Sequence, residues 1–366
     1  MSLSVGIVGL PNVGKSTLFN ALTKKEVLMA NYPFATIDPT VGVVPVPDGR
    51  LQALSSLSGS TDTIPAVIEF VDIAGLVKGA SSGEGLGNKF LANIRETDMI
   101  AEVIRIFDDE DIHHVEGTID PMGDIETINL ELIMADAETA SKRRSNLEKD
   151  LKRGDKEAQA LADVLDRLLP HLEAGKLANS LEMSDLEASL IKELHLLTMK
   201  TFLYVCNKKN DAFNFDDQND ERWTELVQFF EETGAQYVVV DAGVEHELKD
   251  LGDEEKNEFR REYGTQDSGV DALIRACYNR LGLISYFTTG EKETRAWTVT
   301  AGSTGPEAGA AIHTDFKDKY IRAQVMAFED LVTAGSKSIA RDNGTLRTEG
   351  KDYIVQDGDV IEFMHS

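Results

Sequence analysis

The chain has 366 residues, of which 42% are hydrophobic and 28% charged, and its formal net charge is −27. That length predicts two or three domains, and the apolar content excludes global disorder. The acidity excludes nucleic-acid affinity by bulk electrostatics, so any RNA contact must come from local basic patches.

Residues 3–8 read as a buried strand that runs into Gly9-Leu-Pro-Asn-Val-Gly14-Lys15-Ser16, with a helix beginning near Lys15. This is the GxxxxGK[ST] spacing, in which glycines let backbone N–H groups curl around phosphates at the positive end of a helix. Asn12, Val13, Gly14, Lys15, Ser16 and Thr17 are therefore expected to bind a nucleoside triphosphate. Lys15 is expected to reach the β- and γ-phosphates, and the Ser16 hydroxyl to ligate Mg²⁺. Thr36, in Asn31-Tyr-Pro-Phe-Ala-Thr36, lies where a GTPase places the switch threonine that completes the Mg²⁺ shell.

Ala66–Asp72 is a second strand, ending in Asp72-Ile-Ala-Gly75. DxxG is weak alone but strong after a phosphate loop. Asp72 is expected in the Mg²⁺ shell, and the Gly75 N–H is expected to sense the γ-phosphate. Leu76 follows, where a Ras-like enzyme has its water-positioning glutamine. A leucine cannot orient water, so hydrolysis should be slow or use another polar group. His114, in the polar segment beyond the strand at Met99–Phe107, is the candidate.

The stretch from Phe107 to the next strand at Thr201–Cys206 is far longer than a βα unit needs. Leu130, Ile133, Met134, Ala137, Ala140, Arg144, Leu147 and Leu151 recur at helical steps, as do Leu161, Val164, Leu165, Leu168, Leu169 and Leu172. A turn near Gly154-Asp155 makes these an antiparallel pair, and Ser184-Asp-Leu-Glu187 is a capping-box signal. Residues 129–198 are thus expected to form an inserted helical hairpin. It carries a basic cluster of Lys142, Arg143, Arg144, Lys149, Lys152, Arg153 and Lys156, diluted by acids.

Asn207-Lys208-Lys209-Asn210 follows the strand Thr201–Cys206 where NKxD reads a base. An aspartate in the fourth position accepts two hydrogen bonds from guanine, whereas an asparagine complements adenine's donor–acceptor edge. Asn207, Lys208 and Asn210 are expected to contact the base, which favours ATP or a mixed preference. Tyr237–Val240 is a fifth strand. From residue 282 onward, Ala296–Thr300, Tyr353–Val355 and Val360–Met364 read as short strands of a small α+β domain. There Lys317, Lys319 and Arg322 flank Phe316 and Tyr320.

The expected fold is α/β, with a P-loop GTPase-like, mostly parallel sheet covered on both faces. Its parts are residues 1–128 with 199–281, the insertion 129–198, and the C-terminal domain 282–366. No apolar run reaches the roughly 18 residues of a membrane span, and no leader pattern opens the chain. Cys206 and Cys277 lack metal-ligand spacing and are expected as reduced core thiols in the cytoplasm.

Taken together the motifs resemble the YchF family of Obg-like P-loop NTPases nearly end to end. Beyond the phosphate loop, the resemblance rests on Asn31–Pro39, Phe70–Gly87, Asn93–Thr97, Arg295–Trp297, Ile312–Phe316 and Gly350–Tyr353. It implies a C-terminal β-grasp domain of the TGS type, nucleotide-dependent association with the ribosome (the large subunit or the whole particle), and ATP commonly preferred over GTP. It also matches His114 to the family's proposed catalytic histidine, and Leu76 to its hydrophobic replacement of glutamine. Asn210 departs from the family's frequent glutamate, and Ala35 from its frequent cysteine. The competing readings are a nucleotide-gated binding module with negligible turnover and a GTP-preferring, translation-associated GTPase.

Overall fold

The computed structural model describes residues 3–23, 40–73, 86–109, 119–218, 220–262 and 268–365. In chain order its strands are β1 (Ser4–Val8), β2 (Val41–Pro45), β3 (Asp62–Ile64), β4 (Val67–Asp72), β5 (Met99–Arg105), β6 (Phe107–Asp108) and β7 (Thr201–Lys208). They continue as β8 (Phe213–Asn214), β9 (Tyr237–Asp241), β10 (Leu283–Thr289), β11 (Glu293–Thr300), β12 (Tyr320–Ala327), β13 (Arg347–Glu349) and β14 (Asp359–His365).

One sheet has the order β2-β4-β1-β5-β7-β9, parallel throughout except for β2, which runs antiparallel to β4 at the edge. Every residue of β5 is buried, as a central parallel strand covered on both faces requires. Helices supply that cover. The elements α1 (Lys15–Thr23), α2 (Gly49–Ser58), α3 (Leu86–Glu96) and α4 (Pro121–Asn146) precede β7 in the chain, together with α5 (Glu148–Lys152), α6 (Lys156–Glu173) and α7 (Asp185–Ile191). After β7 come α8 (Glu221–Thr233) and α9 (Ala242–Leu248).

Local chemistry sets the helix ends. Asp120 caps α4 by accepting from the Gly123 N–H at 3.0 Å, with Pro121 in the first turn, where its missing N–H costs nothing. Gly154, at φ +77, turns the chain, and Asp155 then caps α6 through the Glu157 and Ala158 N–H groups. Packing between α4 and α6 is apolar, with Ile133, Ala140 and Leu147 against Leu161, Leu165 and Leu168. Arg144 reaches across to Asp166 at 2.7 Å. Ser184 and Glu187 form the capping box of α7. Leu130 and Met134 differ from the periodic reading: they stand 54% and 47% exposed on α4 instead of facing α6.

Asp136, on α4, is 1% exposed and accepts three hydrogen bonds. The backbone N–H groups of Leu197 and Thr198 donate at 2.8 Å, and the Thr198 hydroxyl at 2.7 Å. Those contacts fix the return of the chain into β7.

A second sheet has the order β13-β12-β14-β10-β11-β3. Its last strand comes from the N-terminal part: Asp62, Thr63 and Ile64 pair in parallel with Glu293, Thr294 and Arg295. Hydroxyl contacts reinforce the seam, Ser58 to Thr289 at 2.7 Å and Ser60 to Thr294 at 2.7 Å. Arg50, on α2, binds Asp357 at 2.7 Å and lies 5.2 Å over the Phe287 ring. The strand expected at Tyr353–Val355 is only a single bridge between Ile354 and Thr304. There the chain is held by side chains instead, with the Tyr353 hydroxyl donating to Asp359 at 2.7 Å.

Candidate functional site: a phosphate loop beside a base-side loop

The β1–α1 connection is a tight loop whose close contacts demand small residues. A β-carbon on Gly9 would lie 2.9 Å from both the Val103 carbonyl oxygen and Val13 Cγ2. Asn12 has φ +67 and Gly14 has φ +93, so two residues of the loop use the left-handed region. Gly14 then starts the helix by accepting from the Leu18 N–H at 2.9 Å. Lys15, Ser16 and Thr17 form the first turn of α1, where unsatisfied N–H groups and the helix dipole favour an anion.

Asp72 ends β4 beside this loop. Lys15 Nζ lies 2.8 Å from Asp72 Oδ1, with the two side chains 10% and 24% exposed. The Asp72 N–H donates to the Thr40 carbonyl at 2.8 Å, which brings the chain that follows Thr36 to the same strand end. Thr36, Gly75, Leu76 and His114 themselves lie outside the described residues.

The base-side segment is built around Asn207. Its Nδ2 donates to the Val13 carbonyl at 2.8 Å, and its Oδ1 accepts from the Ala242 N–H at 3.0 Å. One buried amide thus joins the phosphate loop, β7 and the turn after β9. Lys208 Nζ is 3.6 Å from both Asp216 and Asp217, and Lys209 pairs with Asp109. Asn210 is exposed: its backbone N–H donates to Asp241 at 2.6 Å, and its side chain to Asp211 at 3.2 Å.

Asp241 and Ala242 were not among the residues expected from the motifs. The signal available was an acid closing the strand Tyr237–Val240 directly before a helix start, an N-cap pattern, and Asp241 does cap α9 by accepting from Val244 at 2.9 Å. Burial raises the Asp241 carboxyl, opposed by backbone donors and by the charge of Lys208.

Elsewhere the basic patches are partly neutralised by ion pairs. Arg143 pairs with Glu193, Arg144 with Asp166, and Lys319 with Asp315. A cavity of about 530 Å³ opens where β10 and β14 diverge, walled by Leu57, Ile312, Phe316, Leu331 and Phe363. Its lining includes no residue of the phosphate loop. Cys206 and Cys277 are buried free thiols, pushed up by burial. No helix among the described residues is long and apolar enough to cross a membrane.

A phosphate loop at the end of a central parallel strand, an acidic strand end against its lysine, and an Asn-Lys segment bonded to the loop define a P-loop nucleotide-binding protein of the GTPase fold. The 50S ribosome-binding GTPase family matches residues 4–135, and the YchF-GTPase C-terminal family, described as a protein of unknown function, matches residues 283–366. The ribosome-binding ATPase YchF of Bacillus subtilis (strain 168) is 50% identical over 363 residues, covering 99% of each chain. That of Escherichia coli O157:H7 is 47% identical over 364 residues, covering 100% of this chain and 99% of its own. The structure of the Schizosaccharomyces pombe YchF GTPase matches with a TM-score of 0.88 at 36% identity, covering 99% of this chain and 98% of that one. The chain belongs to the YchF family.

Proposed function

We propose that this protein is a Mg²⁺-dependent nucleoside triphosphatase that hydrolyses ATP, and GTP to a lesser degree, as a slow switch on the ribosome in the cytoplasm. The observation that carries the reading is the convergence of Lys15 and Asp72 at 2.8 Å beneath the phosphate loop. A cation for phosphate and a carboxylate for a metal are thereby brought to one point. The chain is a nucleotide hydrolase of its family; the nucleotide preference, the metal and the switch behaviour are the finer parts of the proposal.

Ser16 and Asp72 offer oxygen donors, the set that Mg²⁺ prefers, with Thr36 as a further hydroxyl from the chain ahead of Thr40. When bound, Mg²⁺ neutralises charge on the β- and γ-phosphates. Lys15 exchanges its Asp72 partner for phosphate oxygens, and the backbone N–H groups of Asn12–Thr17 surround the anion. The Gly75 N–H meets the γ-phosphate, and His114 positions the attacking water that Leu76 cannot orient. Hydrolysis then ends the contacts of Thr36 and Gly75 with metal and γ-phosphate, which is how a nucleotide switch changes state.

Ribosome association is supported by the names of the relatives and by the helices α4 and α6, a long pair in which Ile133, Ala140 and Leu147 form a core of their own with Leu161, Leu165 and Leu168. We read residues 129–198 as that inserted unit, residues 282–366 as the TGS domain, and residues 1–128 with 199–281 as the nucleotide domain. Lys142, Lys149, Lys152 and Lys156 carry the basic charge left for RNA contact. Equilibrium binding of Mg-ATP and Mg-GTP to the full chain, followed by hydrolysis with and without ribosomes, tests the reading. Binding of neither nucleotide would overturn it. Turnover unchanged by His114→Ala would remove that residue from catalysis, and binding with negligible turnover, with and without ribosomes, would leave the gated binding module as the better account.

A further inference from the structure

The two strands at the centre of the C-terminal sheet part almost at once. β10 and β14 pair in parallel at a single position, Phe287 with Val360. Beyond it β10 runs on to Thr289 against β11, and β14 runs on through Ile361, Glu362 and Phe363 against β12. Each strand therefore turns one backbone edge toward the other across a gap. Thr288, Thr289 and residues 361–363 line the cavity of about 530 Å³ that opens there. Unpaired strand edges are templates for another strand, and buried backbone N–H and C=O groups seldom go without partners.

The cavity has walls on both faces of the sheet. Leu57 on α2, Met326 on β12 and Leu331 in the helix Phe328–Ala334 belong to the core on one face. Phe363 belongs to the core on the other, where Phe316 meets it edge to face with ring centroids 6.1 Å apart. An extended chain lying in the plane of the sheet reaches both walls, because successive side chains point to opposite faces. Both walls are apolar, so such a segment is apolar at consecutive positions, as a strand buried on both faces is. The volume is of the order that a drug-sized ligand occupies, which limits the segment to a few residues. The mouth is acidic. Glu291 and Glu362 are exposed there, and Lys337, the one base in the lining, is paired with Glu362.

We infer that the gap between β10 and β14 is a strand-acceptor site, which takes a short extended apolar segment with basic flanks from a partner protein. Backbone hydrogen bonds to the two edges supply affinity, and the two apolar walls select the side chains. The net negative mouth, in a chain of net charge −27, favours lysine or arginine beside the apolar stretch. Leu57 and Ser58 of α2 line the same cavity, so an inserted strand touches the N-terminal part as well as the C-terminal sheet. The site stands apart from the phosphate loop and does not depend on the function assigned to it.

The test uses the full chain and a fluorescein-labelled peptide, acetyl-Lys-Val-Ile-Val-Ile-Lys-amide, followed by anisotropy. One companion peptide has proline at its third position, with no N–H to donate, and another has glutamate at both ends. The parent peptide is expected to bind, and the proline peptide to bind at least about tenfold more weakly. The glutamate peptide is expected to bind about two- to fivefold more weakly, and E291K, at an exposed position, to abolish that difference. L331W is expected to weaken the parent peptide by filling the gap; E291K serves alone if thermal melts show that L331W has not folded. Hydrogen exchange of the complex should slow at residues 288–289 and 361–363. Failure of the parent peptide to bind, equal binding of the proline peptide, or slowing confined to other residues overturns the inference. Slowing at these residues that grows with protein concentration, without peptide, makes a second copy the occupant and overturns the assignment to a partner.

Discussion

Gly14 and Asn207, distant in sequence, are so closely apposed that a β-carbon on Gly14 would lie 2.1 Å from Asn207 Nδ2. The same Nδ2 donates to the carbonyl of Val13, the residue before that glycine. The phosphate loop and the base-side loop are therefore shaped against each other, and neither can be altered alone.

Gly14→Ala brings two penalties to one position: a left-handed backbone costing about 1–2 kcal/mol and an overpacked contact costing about 1–3 kcal/mol. Calorimetric titration should show the loss of ATP and GTP binding together, accompanied by a lowered melting temperature. Retained binding with an unchanged melting temperature would mean that the loop accommodates a methyl group without displacing Asn207.

Lys15→Ala removes the cation that faces Asp72. Nucleotide affinity is expected to fall by about 100-fold, the scale of a charge-assisted hydrogen bond at its upper end, with little change in the melting temperature of the free protein. Fluorescence binding with a labelled triphosphate measures the first effect, and scanning calorimetry the second. A diphosphate should lose less than a triphosphate, because Lys15 is assigned to the β- and γ-phosphates.

Glu102 lies in the middle of β5, is fully buried, and neither carboxyl oxygen has a hydrogen-bond partner among the described residues. Burial first, then the nearby Asp124 carboxylate, holds it well above the usual carboxylate range. With a raised pKa, the folded state keeps a proton that the unfolded chain has released. Glu102's favourable contribution is thus complete below the ordinary glutamate range and is lost as the pH rises toward its folded value. Glu102→Met should stabilise the protein by about 1–3 kcal/mol at neutral pH, by removing an unsatisfied buried group. Urea denaturation should show a larger gain at pH 8 than at pH 5. An equal gain at both would place the titration of Glu102 in the ordinary range.

Asp136→Ala leaves the Leu197 and Thr198 N–H groups without their acceptor inside the protein. A loss of at least about 2 kcal/mol is expected, and Asp136→Asn should recover part of it through the remaining oxygen. Chemical denaturation of both variants checks this, and hydrogen exchange should place the loosening at the entry to β7.

Arg50→Ala unties Asp357 from α2 and removes the cation above Phe287. The expected loss is about 1–3 kcal/mol, less in high salt, because Asp357 is partly exposed. Thermal melts at low and high ionic strength give the comparison.

The phosphate loop and Asp72 at the end of β4 were legible because their spacing is dictated by phosphate geometry and survives in one dimension. The strands β1, β4, β5, β7 and β9 were legible as apolar or alternating runs of strand length. β2 was not: Val41–Pro45 is an edge strand with a glycine inside it and a proline at its end, and its pairing to β4 is tertiary. β3 is three residues long and depends on β11, far along the chain. Tyr353–Val355 had strand composition, yet the hydrogen bonds around Tyr353 and Asp359 claim that stretch. On the site, Asn207 was legible as a motif position, but its bond to Val13 was not. Asp241 escaped because its part is played through the backbone of Asn210, a contact that no spacing rule encodes.

The parallel pairing of Asp62–Ile64 with Glu293–Arg295 makes the C-terminal sheet a graft on the N-terminal part of the chain. A fragment beginning at residue 282 would be missing its border strand and would present the raw edge of β11 to any passing chain, so it should self-associate when expressed alone. The same stitch denies the C-terminal sheet the freedom of a tethered passenger. A displacement of β2 and α2, the elements that follow Thr36, would reach that sheet through the backbone as a mechanical pull.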